Sequence, residues 1–160
     1  VMSVGPLRGC GSDEGLEFRF VSESQGSVQM IRIPADPAAL AEARAAITTD
    51  LEAQGIDAQT IEEAEIVASE LLSNAMRHAR TLSDGNIRLR WKVRLEVVEV
   101  EVTDGGSDTT PRPAPRAVWA SSGRGLRIVR ALAHEWGVSE DKSGTTVWAA
   151  LGGPSRRRAT

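Results

Sequence analysis

Between positions 36 and 79 the apolar residues of this chain recur every three or four places, and on either side of that block they alternate. A helix buries a stripe with a period of 3.6 residues, and a strand buries one face with a period of two. A chain patterned this way groups its helices and joins most of its strands to their sequence neighbours as hairpins. That arrangement predicts an α+β fold, a two-layer sandwich with helices covering one face of a mixed, mostly antiparallel sheet. A dinucleotide-binding βαβ fold is not expected, because no strand-to-helix turn carries GxGxxG.

The pattern also places the elements. Residues 16–21 put Leu16, Phe18 and Phe20 on one face of a strand, and residues 28–34 put Ile31 and Ile33 opposite Val28 and Met30; Ser24 to Ser27 form the turn between them. Asp36 can cap a helix with Pro37 at its first position, and Gly55 ends it. Its apolar residues are Leu40, Ala43, Ile47 and Leu51. A second helix starts near Asp57 or Thr60 and runs to about Ala79, with Ile61, Ala64, Ala68, Leu71, Leu72 and Ala75 as its buried stripe. Two strands follow over about 86–93 and 95–102, with a tight connection. A long loop with Pro111, Pro113 and Pro115 runs to about Ser122, and loops of that length are often lids. A turn and helix over 123–134, strands over 135–141 and 145–151, and a turn at Lys142-Ser143-Gly144 complete the domain. Residues 1–15, with four glycines, and the basic tail 152–160 read as flexible flanks of one domain over 16–151.

Composition narrows the function. The 160 residues suit one domain, and 22 acidic against 19 basic side chains give a net charge of -3. A nucleic-acid grip usually shows as a basic domain, so none is expected. The single Cys10 rules out intrachain disulfides and cysteine-based zinc sites. No run approaches the ~20 apolar residues of a membrane span, nor is there an apolar leader core, so the expected location is cytoplasmic.

Four short motifs can carry chemistry. Glu70, Asn74 and His78 recur at four-residue steps on the second helix, drifting toward its apolar stripe. An acid and an amide at the border of a buried face need a partner, and Mg²⁺ bound to phosphates is one. The ordinary reading is an amphipathic helix with polar flanks. Asp104-Gly105-Gly106 leaves room for a flat ligand beside a carboxylate able to accept from an exocyclic amine, though Asp-Gly is also a common turn. Gly123-Arg124-Gly125 at a helix start can offer N–H groups and a positive charge to an anion, or simply join a loop to a helix. Gly144-Thr145 enters the last strand, where the Thr hydroxyl can join a pocket or only end a turn. The four tryptophans read as packing and surface groups, with Trp119 lying in the candidate lid.

Taken in order, these motifs resemble the ATP-binding domain shared by histidine kinases and gyrase, and most closely its anti-sigma-factor serine kinase branch. The matching residues are Glu70-Leu71, Asn74-Ala75 and His78; Asp104 and Gly106; Gly123-Arg124-Gly125-Leu126 with Ile128-Val129; and Gly144-Thr145 with Val147. The resemblance covers about 28–151. It implies a Bergerat-type fold, ATP as substrate and Mg²⁺ as cofactor. Asn74 would hold the metal against the phosphates, and Glu70 would be the general base toward a serine or threonine hydroxyl. Asp104 would bind the adenine amine, with Gly106 giving room and Thr145 assisting. Gly123, Arg124 and Gly125 would contact phosphates, as would Arg77; Leu126 and His78 would belong to the nucleotide site, and residues 107–122 would be the ATP lid. The implied partners are a sigma factor and a STAS-domain antagonist, with a homodimer as the usual assembly. The chain departs from the wider D-x-G-x-G pattern at Asp108. Two other functions fit the same residues: a module that binds ATP and captures a partner without catalysis, and the detached ATP-binding domain of a histidine kinase. The second lacks an evident preceding helix with a phosphoacceptor histidine; His134 sits at a helix end.

Overall fold

The computed structural model describes residues 19–23, 26–107 and 125–153. The elements are β1 (Arg19–Glu23), β2 (Gly26–Pro34), α1 (Ala39–Ala53), α2 (Ala58–His78), β3 (Asn86–Arg94), β4 (Val97–Asp104), α3 (Gly125–Leu132), β5 (Glu135–Asp141) and β6 (Gly144–Gly152). Among the described residues six strands form one sheet in the order β1-β2-β3-β4-β6-β5. Every pairing is antiparallel, where the sequence predicts a mixed sheet. The reason lies in β6, which inserts between β4 and β5. The two strands joined through α3 therefore run in the same direction but never pair.

Register turns the alternating pattern into a core. Ile31 pairs with Leu89, Leu89 with Val102, Val102 with Val147, and Val147 with Val138, one apolar row across five strands. A second row runs through Trp91, Val100, Ala149 and Trp136. Over these rows lie Ala43, Ile47 and Leu51 of α1 and Ala64, Val67, Ala68 and Leu71 of α2, all buried. Burying each branched side chain is worth roughly 1.5–3 kcal/mol. The opposite face of the sheet carries Arg88, Arg90 and Lys92 across from Thr103, Glu101 and Glu99. There the Arg90 guanidinium meets the Glu101 carboxylate at 3.0 Å. On this face Glu99 is held above the ordinary carboxylate range by burial and by its neighbour Glu101.

At the start of α1 the expectation is not met: the N-cap is Ala38, without a side-chain cap bond, and the helix begins at Ala39, while the Asp36 carboxylate accepts the Ala38 N–H at 2.9 Å in the turn before it. At the other end Gly55 takes a φ of +73°, its N–H reaches the Glu52 carbonyl, and the Ile56 N–H reaches Leu51. These two bonds make the Schellman closure that glycine permits. Of the two starts for α2, Asp57 is the cap: its carboxylate accepts from both the N–H and the hydroxyl of Thr60.

Other boundaries differ from expectation. Strand β1 runs from Arg19 to Glu23, and residues 16–18 lie outside the described residues, as do 1–15 and 154–160; Gly152, read as the start of the tail, is instead the buried last residue of β6. The β3–β4 hairpin turns on Leu95 and Glu96, with φ of 49° and 65°. This is the two-residue geometry that normally selects Asn and Gly, so the residue types gave no turn signal and β4 begins two places later than the pattern suggests.

Candidate functional site

The site is assembled by α2 and the two strands it covers. Asn74 is 3% exposed on the flank of α2, and its Nδ2 has no hydrogen-bond partner among the described residues. A buried donor left unpaired costs about 1–3 kcal/mol. Glu70 sits one turn earlier, half-buried, about 6 Å back along the axis. Arg77 and His78 are exposed on the last turn, where cations complement the helix dipole.

At the end of β4, Asp104 faces the core side of the sheet and is 2% exposed. Burial pushes its carboxyl up to about 6, against the opposing effect of the Gly106 N–H, which donates to Oδ1 at 2.8 Å. Its register partner on β6 is Thr145. Gly106 has a φ of +83°, and a Cβ there would sit 3.7 Å from the Thr145 hydroxyl. Gly144 passes so close that a Cβ would lie 1.8 Å from the Asp104 carbonyl oxygen. Behind this group the Thr103 and Thr146 hydroxyls share a hydrogen bond of 2.8 Å.

Two main-chain bonds tie this loop to α2. The Arg80 N–H donates to the Gly106 carbonyl at 2.8 Å, and the Gly105 N–H donates to the Arg80 carbonyl at 2.7 Å. The structure thus brings the half-buried Gly106 and Thr145 together around the buried Asp104 carboxylate and fastens this group to the segment leaving the helix that bears Glu70 and Asn74. It leaves Arg77 and His78 exposed outside that group. Gly125 and Leu126 form the first turn of α3, which packs against α2 through the buried Val129. Gly123, Arg124 and residues 108–122 of the expected lid lie outside the described residues.

Sequence reasoning missed Arg80, and it missed the separate roles of Gly105 and Gly144. The doubled glycine after Asp104 was the available signal for close backbone approach. Nothing in the residue type marks Arg80, because its contribution comes from the main chain.

Among the described residues no group of three or more His, Cys, Asp or Glu could hold a metal ion. The donor set therefore fits a hard cation only where a ligand brings its own oxygens. The side-chain oxygen of Asn74 is a hard donor of the kind that Mg²⁺ accepts, and Mg²⁺ keeps several waters and takes few protein ligands.

A family model described as histidine kinase-like ATPase domain matches residues 33–151. Among solved structures, the RsbU and RsbW domains of Rv1364c from Mycobacterium tuberculosis are similar at 23% identity with a TM-score of 0.60. That likeness covers 78% of this chain and 32% of the other, so this chain spans about a third of that structure's length. At this identity the likeness shows a shared fold. No curated protein matches the sequence.

Proposed function

The chain belongs to the histidine kinase-like ATPase domain family, and from that premise we propose that it binds ATP with Mg²⁺ and acts in the cytoplasm as an anti-sigma factor with protein serine kinase activity. In this reading it holds a sigma factor and phosphorylates a STAS-domain antagonist, with a homodimer as the working assembly. The observation that carries the reading is the buried Asn74 side chain, whose Nδ2 has no acceptor among the described residues and can donate to a phosphate oxygen, on a helix fastened to the desolvated Asp104 loop. The RsbW domain named in the similar structure supports the anti-sigma direction.

Each residue has a defined task. The Asp104 carboxylate accepts from the adenine amine, while Gly106, lacking a side chain, leaves the ring its place beside Thr145. Asn74 would hold Mg²⁺ together with the phosphates, and the ion, when bound, would supply charge neutralisation at the transferring group. Phosphoryl transfer needs mainly positioning and such neutralisation. Glu70 takes the proton from a serine hydroxyl as its oxygen bonds to the γ-phosphorus. The bond from that phosphorus to the β–γ bridging oxygen then breaks, and ADP leaves. In this reading Gly123, Arg124 and Gly125 contact phosphates, as does Arg77 from the end of α2, and Leu126 and His78 complete the nucleotide site.

The test is isothermal titration with ATP and Mg²⁺, followed by phosphate transfer from ATP to a STAS-domain protein encoded nearby. Asn74→Ala is expected to weaken Mg·ATP binding at least tenfold. Glu70→Gln is expected to keep binding and lose about 10²–10⁴-fold in transfer, the usual range for a general base. Wild-type binding without transfer would make the chain a non-catalytic ATP-dependent capture module. Absence of wild-type binding would remove the reading altogether.

A further inference from the structure

We infer that Arg80 and Gly105 are positioning residues that set the distance between the adenine-reading loop and the helix bearing Glu70 and Asn74; this inference rests on the nucleotide reading above. Arg80 follows the α2 cap, and its N–H and carbonyl bind Gly106 and Gly105 respectively. Gly105 has no room for any side chain: a Cβ would lie 2.1 Å from the Thr81 carbonyl oxygen and 3.0 Å from that of Arg80. Both obstacles are main chain, which does not swing aside as a side chain does. The loop carrying Asp104 is therefore pressed directly onto the segment that leaves α2.

The consequence concerns a ligand that reaches both ends. Asp104 and Gly106 hold one another through a bond internal to the loop, so the loop keeps its own shape if it moves. Asn74 and Glu70 are fixed on α2. The β4–β6 ladder and the packing of α2 on the sheet hold the two sets in adjoining layers, and the Arg80–Gly105–Gly106 connection is the main-chain tie that sets their spacing at this end. Relieving a 2.1 Å contact to an ordinary distance moves the loop by about 1 Å, a displacement of the size that costs effective molarity at a reacting centre. A ligand confined to the loop tolerates that movement, and one that spans loop and helix does not.

The experiment compares adenosine with Mg·ATP by calorimetry for wild type, Gly105→Ala and Arg80→Pro. The proline removes the N–H that bonds Gly106, and the preceding Ala79 already has the extended backbone that proline requires. It also keeps the proposal testable should Gly105→Ala fail to fold. The expected result is adenosine affinity within about threefold of wild type and Mg·ATP affinity at least tenfold weaker. Equal weakening of both ligands would overturn the positioning role, as would an unchanged ratio. A wild type that binds neither ligand would instead overturn the nucleotide reading, and the positioning role with it.

Discussion

Asp104 is predicted to make the unliganded protein less stable than an isosteric amide would, and to do so only above a definite pH. In an unfolded chain an aspartate titrates near 3.9. In the fold Asp104 titrates at about 6, chiefly because burial strips its charge of water. That difference is about a hundredfold in proton affinity, or roughly 3 kcal/mol. Between about pH 4 and 6 the folded state binds more protons than the unfolded one. The stability contributed by this group is then full below about pH 4 and is lost as the pH rises through 6. In Asp104→Asn the side-chain oxygen can still accept the Gly106 N–H, and the charge is gone.

Urea denaturation of wild type and Asp104→Asn across pH 4 to 8 reads the difference directly, because every other titrating group cancels. The two proteins are expected to be nearly equal at pH 4, and the variant more stable by up to about 3 kcal/mol at pH 7.5. For a chain of this length that is about 9 °C in melting temperature. Adenosine affinity should fall at least tenfold in the same variant, since the ionised acceptor is lost. A stability gap that does not change with pH, or a wild type more stable than the variant at pH 7.5, would refute the argument that burial dominates at this carboxylate.

Two further predictions concern stability alone. Replacing Leu95-Glu96 by Asn-Gly is expected to stabilise the protein by about 1–2 kcal/mol, because both positions have positive φ and Leu95 is 80% exposed; thermal unfolding checks it. Trp91→Phe is expected to cost roughly 2–3 kcal/mol in chemical denaturation, because the buried indole N–H donates to the Asp50 carboxylate at 2.8 Å and phenylalanine leaves both that bond and some volume empty.

What was legible in the sequence was whatever depends on side-chain type at a fixed period. The stripe of α2 from Ile61 to Ala75 is buried as read, and so are Ile31 and Ile33 on β2. Asp57 and Gly55 act where caps belong, because a carboxylate before a helix and a glycine after it meet needs that recur in every helix. The candidate residues Asp104, Gly106 and Thr145 were named from motif order, and strand register places them together. The strand order was not legible. Pairing of β6 between β4 and β5 is decided by which long-range edges meet, and no local period encodes that. The Leu95-Glu96 turn was hidden for the opposite reason: its backbone takes a conformation its residue types disfavour, so tertiary pairing of β3 with β4 overrides local preference. The connection between Arg80 and Gly105 is main chain to main chain and leaves no trace in residue identity beyond the glycine.

Asn74 and Asp104 share one physical property: each is a buried polar group whose cost the unliganded fold does not recover. A donor offered to Asp104 favours its ionised form and draws its titration back toward the ordinary range. Binding must then release protons wherever the free protein was still protonated, by the same linkage that governs its stability. At pH 6 about half of the unliganded molecules carry that proton, so adenosine binding should release close to half a proton, and at pH 8 almost none. Adenosine suits the measurement because it carries no phosphate that titrates in this range. Calorimetry in two buffers of different ionisation enthalpy gives the number. Proton uptake at pH 6, or the same release at both pH values, would mean that the base is not read by a desolvated carboxylate.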